Sequence, residues 1–269
     1  MRQIIFQGFG LSISEFAFGT AGLHRVLEIA GRKLLLSEAI DSGFSHFDTA
    51  PYYGFGIAEE TLGALSSRQR QQITVATKVG LYPPKGARAA TMNVSVRKLT
   101  GKIFPKLATP RSDWSVSTAN VSLEMSLRRL KRERVDILFL HEPEAMQIDS
   151  DAWLRWLEAT KVAGKVGAYG VAGERSCLES FLSLNNDMAC AIQTRCLAPG
   201  IPGTLLAGVN RAVQFTYGHL SSGLRDIESK RIDSILRQAL QADRNAVVLV
   251  STTRRSRLRI FEDVAGADR

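Results

Sequence analysis

Apolar residues in this chain come in short, nearly unbroken runs. Between the runs lie longer stretches in which apolar positions recur every three or four residues. Val135-Asp136-Ile137-Leu138-Phe139-Leu140 is representative of the first kind and reads as a parallel strand covered on both faces. Runs of this type predict strands over 15–21, 44–50, 73–79, 135–141, 166–172, 189–195, 212–218 and 246–252. The second pattern predicts helices over 117–132, 152–163, 175–184, 228–242 and 256–264. In 117–132, Val121, Leu123, Leu127 and Leu130 recur on one side, with Arg128, Arg129, Lys131 and Arg132 towards the C-terminal end, where the helix dipole favours cations.

Alternating strands and helices imply a parallel sheet. Eight repeats fit the arithmetic of a (β/α)8 TIM barrel of about 250 residues, here read as one α/β domain spanning 1–269. A doubly wound sheet is the alternative. It would want a glycine-rich turn after the first strand, whereas Gly8-Phe9-Gly10 precedes that strand and opens no helix. Residues 1–14 are expected to form a small β-hairpin across the barrel floor. The stretch from Gly80 to Ser112 breaks the alternation with a long loop after strand three, well beyond the ~12–15 residues usual for a structureless connection.

Composition narrows the class. Hydrophobic residues make up 45% of the 269 and charged residues 23%, enough apolar material for a sizeable core. No apolar run approaches the ~20 residues of a membrane helix, and the first residues lack a signal-peptide core. Cys177, Cys190 and Cys196 are odd in number and not in metal-ligand spacing; no disulfide scaffold or metal site is expected, and a cytoplasmic location is. The net charge of +9 is uneven. The loop 80–112 carries seven basic residues, four prolines and no acidic residue, and Arg254, Arg255, Arg257 and Arg259 form a second cluster. Such clusters suit an anionic partner. Charge alone does not choose among nucleic acid, a membrane surface and a phosphorylated ligand; no nucleic-acid motif is present, and neither a nucleic-acid nor a membrane partner is expected. The loop is read either as a lid that orders over a ligand or as an excursion packed on the rim.

In a barrel of this kind, polar residues at C-terminal strand ends converge on one mouth. Asp48, Lys78, His141, Gln193 and Tyr217 all occupy such ends, and Tyr53 lies five residues beyond Asp48. An ammonium beside a phenol is expected to make it the better acid. A carboxylate would hold the ammonium, and an imidazole would orient a substrate oxygen. That set suits protonation of an oxyanion as hydride reaches a carbonyl carbon.

Gly43-Phe44-Ser45-His46-Phe47-Asp48-Thr49-Ala50-Pro51-Tyr52-Tyr53-Gly54, with Glu59-Glu60-Thr61-Leu62-Gly63 after it, resembles the aldo-keto reductase signature. Ala76-Thr77-Lys78-Val79-Gly80 resembles that family's lysine motif, and Asp136-Ile137-Leu138-Phe139-Leu140-His141-Glu142-Pro143 its histidine motif. Similar stretches enter the fifth and seventh strands. The resemblance implies a barrel that binds NADPH, with NADH as the alternative, without a Rossmann motif, and reduces a small carbonyl or sugar substrate or oxidises the alcohol. An NADPH-binding regulatory or redox-sensing protein with little turnover is the alternative.

The resemblance carries over to Asp48, Tyr53, Lys78 and His141 as a catalytic tetrad, with Tyr52 as a rival for the tyrosine. Gln193 and Tyr217 match positions that hold the nicotinamide, and Leu220 and Ser222 match contacts to the pyrophosphate. Ser251, Thr252, Thr253, Arg254 and Arg257 match the site of the adenosine 2′-phosphate, which also suits hydroxyls and N–H groups opening a helix. His24, Tyr82 and Trp114 are candidates for the substrate pocket. The chain departs from the family at Ala172-Gly173, where Ser-Asn is usual.

Overall fold

The structure is a computed structural model describing residues 1–84, 109–220 and 229–266. Fourteen strands are labelled in chain order. Eight close a parallel barrel: β3 (Phe16–Gly19), β4 (His46–Asp48), β5 (Thr74–Val79), β8 (Val135–His141), β9 (Val166–Gly173), β10 (Ala191–Arg195), β13 (Phe215–Tyr217) and β14 (Val247–Val250). They follow one another round the barrel in sequence order, with β14 beside β3 closing it. Each falls within one of the eight predicted runs or extends it by one residue.

Strand parity builds two cores. Ala17, Ala76, Ile137, Phe139, Ala191, Phe215, Val247 and Leu249 point into the lumen and form one buried cluster. Their neighbours Phe16, Phe18, Phe47, Val75, Leu138, Leu140, Ile192 and Val248 point outward into a second cluster beneath the helices. This alternation is the period-two geometry of a strand. Below the lumen, β1 (Gln3–Phe6) and β2 (Leu11–Ser14) pair as the expected hairpin. Ile4, Leu11 and Ile13 join the lumen cluster, so the floor is closed by apolar side chains.

The helices are α1 (Ile29–Asp41), α2 (Ile57–Gly63), α3 (Ser67–Gln71), α4 (Val116–Leu130), α5 (Ser150–Val162), α6 (Arg175–Leu184), α7 (Ser229–Ala242) and α8 (Leu258–Gly266). The last five match the predicted helices to within two residues at each end. The first three were not anticipated. In α1 the apolar residues do not form one stripe: Leu35, Leu36 and Ala39 are buried along with Arg32, while Ile29 and Leu34 are exposed. The segments α2 and α3 are too short for periodicity to register.

After β5 the chain leaves through β6 (Leu81–Tyr82), which pairs antiparallel with β7 (Arg111–Ser112). The ends of the long loop are therefore clamped together. Whether its middle is a lid or a packed excursion falls outside the described residues. Between β10 and β13 there is no α-helix; a short antiparallel pair, β11 (Leu205–Leu206) with β12 (Arg211–Ala212), takes its place. No described helix is long and apolar enough to cross a membrane.

Candidate active site

The inward parity that fills the lumen with apolar groups continues upward to polar ones. On β4 the inward residues are His46 and then Asp48; on β5, Ala76 and then Lys78; on β8, Phe139 and then His141. On β10 they are Ala191 and then Gln193, and on β13, Phe215 and then Tyr217. The last residue of each pair lines one cavity of about 270 Å³ at the C-terminal end of the barrel, together with Tyr53. Small-molecule pockets run from about 300 Å³ upward, so this space takes the reacting end of a ligand rather than a whole dinucleotide.

Tyr53 arrives by a turn rather than a strand. Gly54, Phe55 and Gly56 all have left-handed backbone, with φ of 59°, 57° and 97°. For Phe55 that conformation is strained. The turn directs Tyr53 into the cavity, while the Tyr52 ring packs edge-on against Phe55.

Lys78 and Asp48 are 1% and 2% exposed and form an ion pair. The ammonium also donates to the Thr49 carbonyl at 3.0 Å. Burial pushes the Asp48 carboxyl up and the Lys78 ammonium down, and each charge offsets the other's shift. The Lys78 nitrogen stands 5.0 Å from the centre of the Tyr53 ring. The His141 and Tyr53 rings meet edge to face at 6.2 Å. Burial, with help from Lys78, drops the His141 imidazole to about 3, so it is neutral.

One expectation is overturned. Tyr53 does not become the stronger acid: burial pushes its phenol well above the usual value, and Asp48, Tyr217 and Glu142 push it the same way. The resting phenol is therefore a neutral O–H donor. Gln193 is buried, and its amide donates to Asp48. Its Oε1 has no hydrogen-bond partner among the described residues.

The other candidates scatter. Ser251 lines the cavity edge. The Thr252 hydroxyl accepts from the Arg254 N–H at 3.0 Å and so closes a local turn. Thr253 and Arg254 are exposed, and Arg257 is partly so. Arg255 is held by Glu38. Leu220 packs against the outer core, and Ser222 is outside the described residues. Tyr82 and Trp114 do not line the cavity. They are 5% and 6% exposed and belong to the outer core, with Trp114 packed on Gly80 and 5.7 Å from the Trp153 ring. His24 sits beside the Tyr53 turn, with Nδ1 3.0 Å from the Ala21 carbonyl.

Two features escaped sequence reasoning. Glu59, fully buried, accepts from Thr77 Oγ1 and from Arg129 Nε at 2.6 Å each. It ties α2 and α4 to the strand that carries Lys78. Glu142, directly after His141, has left-handed backbone with φ 54°. A carboxylate in the Glu59-Glu60 pair and another next to the histidine were both visible, but neither has a periodicity that marks a role.

A barrel with this site has the architecture of an oxidoreductase family. The Aldo/keto reductase family model matches residues 16–181, and the chain belongs to that family. The match includes Asp48, Tyr53, Lys78 and His141 but ends before Gln193. Among similar proteins are D-threo-aldose 1-dehydrogenase from a Pseudomonas species, 31% identical over 60% of this chain and 50% of its own length, and 6-dehydroglucose reductase from Agrobacterium fabrum, 29% identical over 55% and 46%. The chain thus spans about half the length of the curated relatives it matches. An aldo-keto reductase from Bacillus halodurans in its holo form has the same fold, with TM-score 0.76 at 18% identity over 98% of this chain and 90% of its own. One from Klebsiella pneumoniae in complex with NADP and acetate aligns with TM-score 0.66 at 16% identity over 98% and 90%.

Proposed function

We propose that this chain reduces a small carbonyl compound, an aldehyde or sugar, to the alcohol with NADPH, and that Tyr53 is the acid. The observation that carries the reading is the convergence of Tyr53, the Lys78–Asp48 pair and neutral His141 on one cavity. The orphaned Gln193 Oε1 fits the cofactor, because an unpaired buried acceptor suits a carboxamide NH2. The Tyr217 ring offers a flat wall beside it. Ser251, Arg254 and Arg257 would hold the phosphorylated adenosine end. When bound, a nicotinamide supplies the hydride.

The chain's own groups do the rest. The Tyr53 phenol donates its O–H to the substrate oxygen and gives up its proton as that oxygen becomes an alkoxide, a stronger base than the phenolate. The Lys78 ammonium, 5.0 Å from the ring, stabilises the phenolate that is left. Asp48 keeps Lys78 charged and in place. His141, being neutral, has a ring nitrogen to hydrogen-bond the carbonyl without competing as an acid. The names of the relatives that act on aldoses and 6-dehydroglucose support a sugar or aldehyde substrate.

The test is NADPH consumption with a panel of aldehydes, aldoses and ketoses. Turnover with at least one supports the reading. Tight NADPH binding with no consumption would instead favour a regulatory, redox-sensing role.

A further inference from the structure

Strands β8 and β9 end side by side, with His141 opposite Ala172. The Glu142 N–H donates to the Ala172 carbonyl at 2.7 Å. The left-handed turn at Glu142 then swings its side chain across the end of β9. Oε2 accepts from the Glu174 N–H at 3.1 Å. Both carboxylate oxygens lie over Gly173: a Cβ there would stand 2.5 Å from Oε2 and 3.2 Å from Oε1. Gly173 itself lines the cavity. A side chain at 173 would have to displace the Glu142 carboxylate, which occupies the space it would fill.

The charges nearby are otherwise balanced. Asp48 is paired with Lys78, and Glu174 with Arg195 at 3.3 Å. Glu142 has no ion-pair partner among the described residues. Its charge is felt by the phenols of both Tyr53 and Tyr217 on the cavity wall. A strained residue that persists at a site is a pointer to function.

We propose that Glu142 sets the preference of this cavity between the two redox states of the cofactor. The oxidised nicotinamide is cationic and the reduced one neutral, so a carboxylate held against Gly173, itself a residue of the cavity wall, favours the oxidised form. In reduction the carbonyl carbon receives a hydride, its oxygen takes the Tyr53 proton, and one positive charge is left on the nicotinamide. Glu142 would thus stabilise charge that appears only as hydride leaves the nicotinamide. Glu142 acts through space as a positioning charge. The inference rests on the nicotinamide reading above.

Calorimetric titration with NADP+, NADPH and 2′-phospho-ADP-ribose, which lacks the nicotinamide, tests it. Glu142→Gln keeps the shape and removes the charge. Glu142→Gly removes both and suits the left-handed backbone, so it also guards against a folding defect. Both variants are expected to lose preference for NADP+ over NADPH by about threefold or more, with affinity for 2′-phospho-ADP-ribose unchanged. An unchanged preference in both, or an equal loss for all three ligands, overturns the proposal. A wild-type protein that binds 2′-phospho-ADP-ribose but neither dinucleotide would overturn the nicotinamide reading itself.

Discussion

Lys78 and Asp48 stand at the end of a lumen that is otherwise apolar. Removing one partner leaves the other as an uncompensated buried charge, at a cost of about 3–5 kcal/mol. Lys78→Met and Asp48→Asn should each lower the unfolding free energy, measured by urea titration, by about that amount. The double variant should lose clearly less than the sum and still lack activity; a strictly additive loss would contradict the pairing. The arginine cluster divides differently. Arg255 is engaged with Glu38, so Arg255→Ala should leave cofactor affinity nearly unchanged. Replacing Arg254 and Arg257 together by Ala should weaken NADPH by about 10-fold or more, the scale of charge-assisted hydrogen bonds, and NADH little. Equal weakening of both in a fluorescence titration would remove this cluster from the phosphate site. The sequence could place Asp48, Lys78, His141 and Gln193 together because strand ends in a barrel converge. It could not show that burial raises the Tyr53 phenol, because desolvation depends on atoms brought in from other strands.

Strand parity links the elements to the site. The alternation that sends Phe139 into the lumen also sends His141 to its rim, and a one-residue slip would exchange the two faces. The eight strands were legible because their apolar runs are bounded by polar turns. The helix α1 was not, because its buried positions include Arg32 and its exposed ones include Ile29. Tyr82 and Trp114 read as pocket residues from their loop position, yet they pack in the outer core, a difference made by the β6–β7 clamp. The contact of α2 with α4 is close: a Cβ on Gly63 would lie 2.0 Å from the Arg129 carbonyl oxygen. Gly63→Ala must push the helices apart and should destabilise by about 1–3 kcal/mol. Because α2 also carries Glu59, which holds Thr77 beside Lys78, kcat should fall too. A Gly63→Ala protein with unchanged melting temperature would contradict this packing.

At the scale of the molecule, the barrel is sealed below by the hairpin and open above at the cavity. Three histidines titrate far below their ordinary value because they are buried: His46 and His141 at about 3 and His219 at about 4. Unfolded histidine titrates near ~6.5, so between those values the unfolded chain binds more protons, and stability falls as pH falls. Each contributes a slope of about 1.4 kcal/mol per pH unit in that window. His46→Gln should flatten the pH dependence of the unfolding free energy, measured by urea titration between pH 6 and 4, by that amount relative to wild type; an identical slope would contradict a neutral buried His46.

Proton donation in this site rests on one hydroxyl. Tyr53→Phe removes it from the cavity and leaves the ring contacts with Lys78 and His141 in place. Single-turnover reduction of an aldehyde by NADPH, measured for wild type, Tyr53→Phe and Tyr52→Phe alongside NADPH affinity, is the most direct test. The rate for Tyr53→Phe should fall by about 10²–10⁴-fold, the range for a general acid, with NADPH binding retained and with Tyr52→Phe close to wild type. An active Tyr53→Phe protein, or loss of activity in Tyr52→Phe instead, would contradict it.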